Sequence, residues 1–299
     1  MDIRVLRYFL AVTREESISR AAEALHVTQP TLSRQLRDLE DELGVTLMLR
    51  GSRSITLTSE GMHLRRRAQE IVDLADRTEA EFSGDQAEIS GEIHIGGGET
   101  RAMRLVADVA VALRREFPGV RYHLYSGNAD DVGEKLDSGL LDFGVLIGPT
   151  DLKKYEHLRL PVRDVWGVLM RRDDPLAAKT AVRPEELEHR PLLASRQTLV
   201  EGEIADWLGE SYGRLDIVAH YNLIYNAALM VEAGMGVALT LAGLTVTDAP
   251  ESPFSFRPLA PRLEANLDVV WKKYQVFSPA SELFIRRLQQ SFAAMTETL

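Results

Sequence analysis

The stretch Ser17–Thr58, SISRAAEALHVTQPTLSRQLRDLEDELGVTLMLRGSRSITLT, decides the fold of the first part of this chain. Apolar residues at helical spacing predict one helix over Ile18–Leu25 and a second helix over residues 29–43. Thr28 is a good N-cap for the second helix, and Gly44 is a good stop. Two short apolar runs then flank an arginine-containing turn, which is typical of a β-hairpin. Two helices followed by a hairpin predict a winged helix-turn-helix.

The polar face of the second predicted helix carries groups that can reach DNA phosphates and base edges. These groups are Gln29, Thr31, Ser33, Arg34 and Arg37. The hairpin turn adds Arg50 and Arg53, which a wing would present to a groove or to the DNA backbone. The same periodicity would suit an ordinary helical corner with a solvated face, but the arginine-tipped hairpin favours DNA binding.

The segment AAEALHVTQPTLSRQLRDLEDELGVTLMLRGSRSITLTSEG resembles the N-terminal domain of LysR-type transcriptional regulators. In that family an E-x-x-L-G-x-x-L-F-x-R segment and a T-x-x-G follow the recognition helix. The matching residues here are Glu40, Leu43, Gly44, Leu47, Met48 (in place of Phe), Arg50, Thr58 and Gly61. The resemblance implies double-stranded DNA as a partner. The implied contacts are Thr28, Gln29, Pro30, Thr31, Ser33 and Arg34, with a wing contact from Arg53.

Charge is distributed unevenly along the chain. The net charge is −10, yet residues 1–67 hold 11 Arg against 9 Asp and Glu. A weakly basic N-terminal part on an acidic body suits a protein that binds duplex DNA without adhering to it everywhere. The first lysine is Lys135, so this part relies on arginine, which binds phosphate and guanine in a bidentate manner.

Cysteine is absent from the sequence, which excludes disulfides, thiolate zinc ligands and thiol-based redox sensing. Charged residues interrupt the N-terminal apolar run, which therefore predicts a helix and not a signal peptide. The longest uncharged apolar-rich run, Ala233–Thr247, is too short to span a bilayer. We expect a cytoplasmic protein with no membrane partner.

A long helix is predicted to begin at Ser59, after the N-cap Thr58. Alternating steps of four and three, typical of a coiled-coil seam, relate Leu64, Ala68, Ile71, Ala75, Thr78 and Phe82. The stripe could pack on its own domain, but a small domain has little surface to bury all of it. We expect dimerisation through Leu64, Ala68, Ile71, Ala75 and Phe82, as in the linker helix of LysR-type regulators.

The polar segment Ser83–Glu88 predicts a hinge. After it, predicted strands alternate with predicted helices. The βαβαβ order from Gly91 to Ile147 predicts a parallel sheet with right-handed crossovers, and a similar unit recurs after Trp166. The resemblance extends to the two-lobed α/β effector-binding domain of LysR-type regulators, which is similar to type 2 periplasmic binding proteins. The segments that show this resemblance are Gly91–Gly96, Glu116–Val120, Leu140–Val145 and Val231–Leu239.

The expected fold class is therefore α/β with an N-terminal winged helix-turn-helix. The expected domains are residues 1–58 (winged helix-turn-helix), 59–90 (linker helix and hinge) and 91–299 (effector domain). The two lobes of the effector domain would comprise residues 91–161 with 268–299, and residues 162–267.

Candidate effector contacts follow the predicted strands, where the carboxyl ends line a cleft. They are Thr100, Ser126, Asn128, Ile147, Gly148, Ser195 and Asn222. For each Ser, Thr or Asn, ordinary helix capping is an equal alternative. Glu99 would disfavour a dianionic ligand unless Arg101 or Arg196 offsets it, so a neutral, cationic or amphoteric effector carries the same weight as a dianionic one.

An enzyme finds little support in the sequence. Gly96–Arg101 lacks the third glycine of G-x-G-x-x-G and the Gly-Lys-Ser/Thr of a P-loop, and no G-x-S-x-G is present. The seven histidines are dispersed, with none paired at ligand spacing, and His94 and His123 fit ordinary strand positions better than metal ligands. We expect no catalytic residues, no metal and no cofactor.

The function predicted from the sequence is a LysR-type, ligand-responsive transcription factor. It would bind an interrupted palindrome as a homodimer or homotetramer, with a small-molecule effector as its ligand and RNA polymerase as a further candidate partner. A solute-binding protein with an inactive DNA-binding domain and an α/β enzyme with a regulatory domain are the alternatives.

Overall fold

The computed structural model of the chain describes residues 1–50, 55–83, 89–148, 152–195, 203–247 and 249–296. It divides into two compact units, Met1–Asp85 and Gln86–Leu299, here called the head and the body. The predicted wing residue Arg53 and most of the predicted hinge lie outside the described residues.

The head is a winged helix-turn-helix followed by a long helix, as its sequence predicts. Its strands pair antiparallel, with Met48 opposite Leu57 and Arg50 opposite Ile55. In chain order the elements are α1 (Ile3–Glu15), α2 (Ile18–Ala24), α3 (Gln29–Leu43), β1 (Met48–Arg50), β2 (Ile55–Leu57) and α4 (Ser59–Ser83).

Capping determines where α3 begins and ends. The Thr28 side chain accepts a hydrogen bond from the Thr31 backbone N–H at 3.4 Å, which satisfies one of the free donors of the first turn. Gly44 ends the helix in the left-handed conformation with a φ of 68°, which glycine adopts at little cost.

Two side chains attach the wing to the helices around it. The Glu40 carboxylate accepts the backbone N–H groups of Leu47 and Met48 at 2.7 and 3.1 Å. The Thr58 hydroxyl accepts the Gly61 N–H at 3.0 Å and thereby caps α4. A Cβ at Gly61 would lie 2.0 Å from the Leu47 carbonyl oxygen, so only glycine allows α4 to approach this strand so closely.

The first half of α4 belongs to the core of the head. Ala68 is fully buried and Val72 is 7% exposed, and both pack with residues of α1 and α3. Leu64 packs partly against the same core. This placement corrects the expectation that Ala68 faces a partner helix, because the head buries more of the stripe than its size suggested.

The second half of α4 presents apolar side chains to solvent. Ile71 is 36% exposed and Leu74 is 41% exposed, while Ala75 is half-buried. The side chain of Phe82 lies outside the described part of the chain. The predicted seam is therefore exposed only beyond Ala68.

The body is built on one mixed sheet with helices on both faces. Its strand order is β4-β3-β5-β11-β6-β9-β7-β8, with β10 pairing β6. The helices are α5 (Met103–Glu116), α6 (Ala129–Asp137), α7 (Glu203–Leu208), α8 (Ile224–Glu232) and α9 (Pro279–Thr296). The strands are β3 (Gly91–Gly97), β4 (Val120–Ser126), β5 (Phe143–Ile147), β6 (Tyr155–Arg171), β7 (Pro191–Ser195), β8 (Asp216–Tyr221), β9 (Val237–Leu241), β10 (Phe254–Pro258) and β11 (Glu264–Lys272).

Two lobes meet along the crossing strand β6. Its first part pairs antiparallel with β11 as far as Val165, and its second part pairs antiparallel with β9 from Trp166 onward. β3, β4 and β5 run parallel in the first lobe, and β7, β8 and β9 run parallel in the second. The sequence predicted the second α/β unit only from Trp166 onward, so it predicted neither the first part of β6 nor β10.

Separate apolar clusters pack on the two faces of each lobe. In the first lobe Phe143 and Phe284 join α5 and α9 to one face, while Val132 and Leu136 join α6 to the other. Among the described residues, no helix is long and apolar enough to cross a membrane.

Candidate DNA-binding and effector-binding sites

The N-terminal end of α3 is an exposed polar surface. Gln29, Pro30, Thr31 and Arg34 are exposed, and Ser33 is partly buried. The hydroxyls of Thr28 and Thr31 hydrogen-bond to each other at 2.8 Å. Within the described part of the chain, the Arg34 guanidinium makes no hydrogen bond or ion pair, so it is free to contact a phosphate or a base edge.

The inner side of α3 explains why these groups point outward. Leu32 and Leu36 are fully buried and Leu39 is 2% exposed, and all three pack against α1 and α2. Since the buried positions recur every three or four residues, the positions between them must face solvent. The head therefore holds the predicted DNA-contact residues of α3 on one rigid surface.

The carboxyl ends of β3, β4 and β5 meet at one edge of the first lobe. The Gly127 N–H donates to the Gly97 carbonyl at 3.1 Å. A Cβ at Gly98 would lie 3.1 Å from Ile147 Cδ1, and the Gly148 N–H donates to the Asn266 carbonyl at 2.8 Å. The structure thus brings Ile147 and Gly148 to the edge at which the sequence placed the ligand.

Thr100 is hydrogen-bonded to Asp164, a partner that could not be identified from the sequence. Its hydroxyl donates to the Asp164 carboxylate and accepts the Ala102 N–H at 3.0 Å. Thr100 is 8% exposed and Asp164 is 7% exposed. The helix α5 begins at Met103, so Thr100 belongs to the turn before it.

Asp164 lies on β6 near the point at which that strand passes between the lobes. Burial raises the pKa of its carboxyl, while the Thr100 hydroxyl and the Arg101 guanidinium oppose the shift. The sequence carries no clear signal for this residue, because β6 also contains Glu156, Arg159 and Arg163 and only the fold shows that Asp164 is the buried one.

Glu99 connects the two lobes directly. Its Oε2 accepts the backbone N–H of Ile224 at 2.7 Å, although 125 residues separate the two positions. Ile224 is the first residue of α8, and its N-cap Leu223 supplies no side-chain hydrogen bond. The carboxylate of one lobe therefore caps a helix of the other, where the helix dipole favours negative charge.

The remaining predicted contacts have local roles or lie at strand ends. The Asn128 side chain caps α6 by accepting the Asp131 N–H at 2.9 Å. The Asn222 side chain accepts the Leu223 N–H at 3.0 Å and is exposed. Ser126 ends β4 and is exposed, whereas Ser195 ends β7 opposite Tyr221. For Asn128 the structure shows the capping alternative in use.

Tyr221, which ends β8 in the second lobe, is a further residue that sequence reasoning missed. Its hydroxyl donates to the Leu239 carbonyl at 2.6 Å. Burial raises the pKa of this phenol strongly, and the nearby negative charge of Glu99 adds to the shift. Tyr221 therefore stays neutral at all ordinary pH values and acts as a fixed donor beside Glu99.

Arg101 lies close enough to Asp164 for its positive charge to lower the pKa of that carboxyl. A Cβ at Gly243, which has a φ of +74°, would lie 2.2 Å from Arg101 Cδ. The missing side chain at Gly243 thus makes room for the stem of an arginine from the other lobe. Arg196, the second cation that the sequence offered, lies outside the described residues.

Two family models match the chain and together span both units. The one described as a bacterial regulatory helix-turn-helix protein of the lysR family matches residues 3–62, and the one described as a LysR substrate binding domain matches residues 86–293. The chain belongs to the LysR family of transcriptional regulators. It is a DNA-binding transcriptional regulator with an effector-binding domain.

Curated relatives match this LysR-family chain over nearly its full length. The Hca operon transcriptional activator HcaR of Escherichia coli (strain K12) is 28% identical, with 99% of this chain and 100% of HcaR covered. The uncharacterized HTH-type transcriptional regulator YvbU of Bacillus subtilis (strain 168) is 26% identical, with 98% and 100% covered.

A solved structure shows the same fold. Full-length CbnR, crystallised in complex with its target DNA, has a TM-score of 0.71 and 20% sequence identity to this regulator. The alignment covers 97% of this chain and 100% of CbnR. At that identity the likeness concerns the fold alone.

Proposed function

We propose that this LysR-family regulator reads DNA through the exposed N-terminal residues of α3 and responds to a small molecule bound between the lobes of its body. The observation that carries the second half is the hydrogen bond from Ile224 to Glu99, since it links two lobes that a ligand would bridge. The regulator acts by binding and not by catalysis. As a DNA-binding regulator, it would work in the cytoplasm.

The predicted DNA contacts are Thr28, Gln29, Pro30, Thr31, Ser33 and Arg34, with Arg53 as the wing contact. Arginine reads guanine through two hydrogen bonds, and hydroxyl and amide groups bind phosphates and base edges. The exposed position of Arg34 and its lack of a partner within the described chain support this assignment.

A homo-oligomer would place two heads on one interrupted palindrome. Each half-site then raises the effective concentration of the other head at the DNA. Ile71 and Leu74, which face solvent on α4, are the residues that would pair with a second copy. RNA polymerase is a further partner of such a regulator.

The oligomer can be tested on the full chain by light scattering. Ile71→Asp should reduce the oligomeric state, because it places a charge in an apolar seam. Met62→Asp is the matched control, because Met62 lies on the same helix and is 60% exposed. It is nine residues away from Ile71, which puts the two side chains on opposite sides of the helix. Equal effects of the two substitutions would argue against pairing through this seam.

The effector would lie where Glu99, Asp164 and Arg101 converge. Two of these groups are carboxylates, and Glu99 already occupies the N-terminus of α8. A dianionic ligand would have to displace Glu99 and then lie beside Asp164. We therefore propose a neutral, cationic or amphoteric effector.

A thermal-shift screen of the full chain against acids, amino acids, amines and neutral aromatics tests this assignment. A ligand that binds only the native state raises Tm, and the rise grows with the logarithm of the ligand concentration above Kd. Amines, amino acids or neutral compounds should give the hits, and Asp164→Asn should weaken them. A dicarboxylate that stabilises the unmodified chain would contradict the proposed ligand class.

A further inference from the structure

Two histidines that are far apart in the sequence are neighbours in the body. His94 on β3 lies directly opposite His123 on the parallel edge strand β4. Glu92 precedes His94 by two residues, so both side chains leave the same face of the sheet. Ile93 and Ile95 point to the other face, where they are buried in the core. The histidine pair was not apparent from sequence spacing, because only strand register creates it.

The three side chains converge on one point. The Nε2 atoms of His123 and His94 lie 3.3 and 3.9 Å from the same oxygen, Glu92 Oε2. The two rings are stacked, with centroids 4.5 Å apart and planes inclined by 10°. One ligand atom from each of the three residues falls within 4.8 Å of the others.

A fourth residue, Asp142, fixes the backbone of His94 and lies behind its ring. The Asp142 carboxylate accepts the His94 backbone N–H at 2.7 Å and lies 3.6 Å from His94 Nδ1. Nδ1 is buried and has no hydrogen-bond partner among the described residues. A proton on Nδ1 would point at Asp142 and leave Nε2 with its lone pair toward Glu92. A carboxylate behind an imidazole in this way is the usual second partner of a metal-binding histidine.

We propose that Glu92, His94 and His123 form a binding site for a divalent transition-metal ion, with Zn²⁺ as the best match. Two imidazoles and one carboxylate are ligands that zinc accepts, whereas Ca²⁺ and Mg²⁺ prefer oxygen alone. Three protein ligands leave the fourth tetrahedral position for water. This proposal differs from the expectation from the sequence, which was that the chain binds no metal.

Small side-chain movements complete the coordination. Ligands of a tetrahedral zinc ion lie about 3.4 Å from one another, so the rings must tilt from their stacked arrangement. His123 and Glu92 can move, since their side chains are 52% and 40% exposed, while His94 is 16% exposed and anchored by Asp142. Arg121 is the register partner of Glu92 on β4 and is a cation on the same face of the sheet as the cluster.

The test is zinc titration of the full chain without an affinity tag, in competition with a chromogenic chelator. The unmodified chain should bind one equivalent per chain more tightly than the background of surface histidines. His94→Gln and His123→Gln should each weaken this binding by at least tenfold, and Asp142→Asn should weaken it by roughly 10–100-fold. Cobalt bound at the same site should give the strong visible absorption of a tetrahedral complex, which His123→Gln abolishes.

His157→Gln is the matched control, because His157 is exposed on β6 away from the cluster. It should leave stoichiometry and affinity unchanged. The Tm of metal-free His123→Gln should equal that of the unmodified chain, since that side chain is half exposed, so a loss of binding cannot reflect unfolding. The absence of a stoichiometric site, or equal effects of His157→Gln and His123→Gln, would overturn the proposal.

Discussion

Removal of the Glu99 carboxylate should loosen the junction between the lobes. In Glu99→Ala the Ile224 N–H loses its acceptor, and the N-terminus of α8 loses the charge that offsets its dipole. Loss of an N-cap acceptor costs about 1 kcal/mol and loss of a favourable dipole interaction about 0.3–1 kcal/mol. Since Glu99 is only partly buried, a total of about 1–2 kcal/mol is expected.

Hydrogen exchange at the Ile224 amide measures this change directly. A loss of about 1–2 kcal/mol corresponds to roughly 5–30-fold faster exchange, because each tenfold step is about 1.4 kcal/mol. The Tm of the body should fall by roughly 2–8 °C for a unit of this size. Glu99→Gln keeps an acceptor oxygen and should show a smaller effect on both measurements.

Glu251→Ala is the matched control, because Glu251 is exposed on a turn of the second lobe. It should change neither the exchange rate of Ile224 nor the Tm. The reasoning would be refuted if Glu99→Ala left the Ile224 amide as protected as it is in Glu251→Ala. A lower Tm without faster exchange at Ile224 would also refute it, since the damage would then lie elsewhere.

Three further predictions concern Arg34 and Gly61 of the head and Asp164 of the body. Arg34→Ala should cost about 1–3 kcal/mol of DNA affinity and blunt sequence preference in gel shifts, whereas a uniform loss on all sequences would identify a phosphate contact. Gly61→Ala should destabilise the head by roughly 1–3 kcal/mol in thermal unfolding, because its Cβ would meet the Leu47 carbonyl. Gly213→Ala, which meets no atom within 4 Å, is its control. Burial raises the pKa of Asp164 in the folded state, so the ionised carboxylate destabilises the fold above that pKa. Asp164→Asn should therefore be more stable than the unmodified chain at pH 7. Urea midpoints should show this gain shrinking as the pH falls toward 3.8, the ordinary pKa of the group.

The head could be predicted from its sequence because its signals are local. The Thr28 cap, the Gly44 stop and the leucine spacing of α3 all act within a few residues of one another. The T-x-x-G pair has a comparable explanation, since Thr58 caps α4 and Gly61 admits the Leu47 carbonyl. Each of these features depends on the conformation of one turn, which short sequence patterns specify well.

The crossing strand β6 was only partly predictable because its environment changes along its length. Its first part lies beside β11 and has exposed charged residues, whereas its last part is a continuous buried run. Hydrophobic periodicity identifies a strand when one pattern holds along its whole length. In β6 a mixed pattern with charged residues is followed by a continuous apolar run, so no single pattern covers the strand. The β10 strand was missed for another reason: Phe254 and Phe256 alternate with Ser255 and Arg257, but the run is short and Pro253 and Pro258 bound it.

The interlobe site depends on contacts that no local pattern encodes. The Glu99–Ile224 and Thr100–Asp164 hydrogen bonds join residues 125 and 64 positions apart. Sequence reasoning recognised Glu99 as a poor neighbour for an anion, but it could not show that the carboxylate already has a partner in the other lobe. This contact changes the meaning of Glu99: it is both a filter on ligand charge and a bond that any ligand at α8 must replace. A ligand that binds by displacing Glu99 would therefore couple its own affinity to the lobe geometry, since the bond that it breaks is one that joins the two lobes.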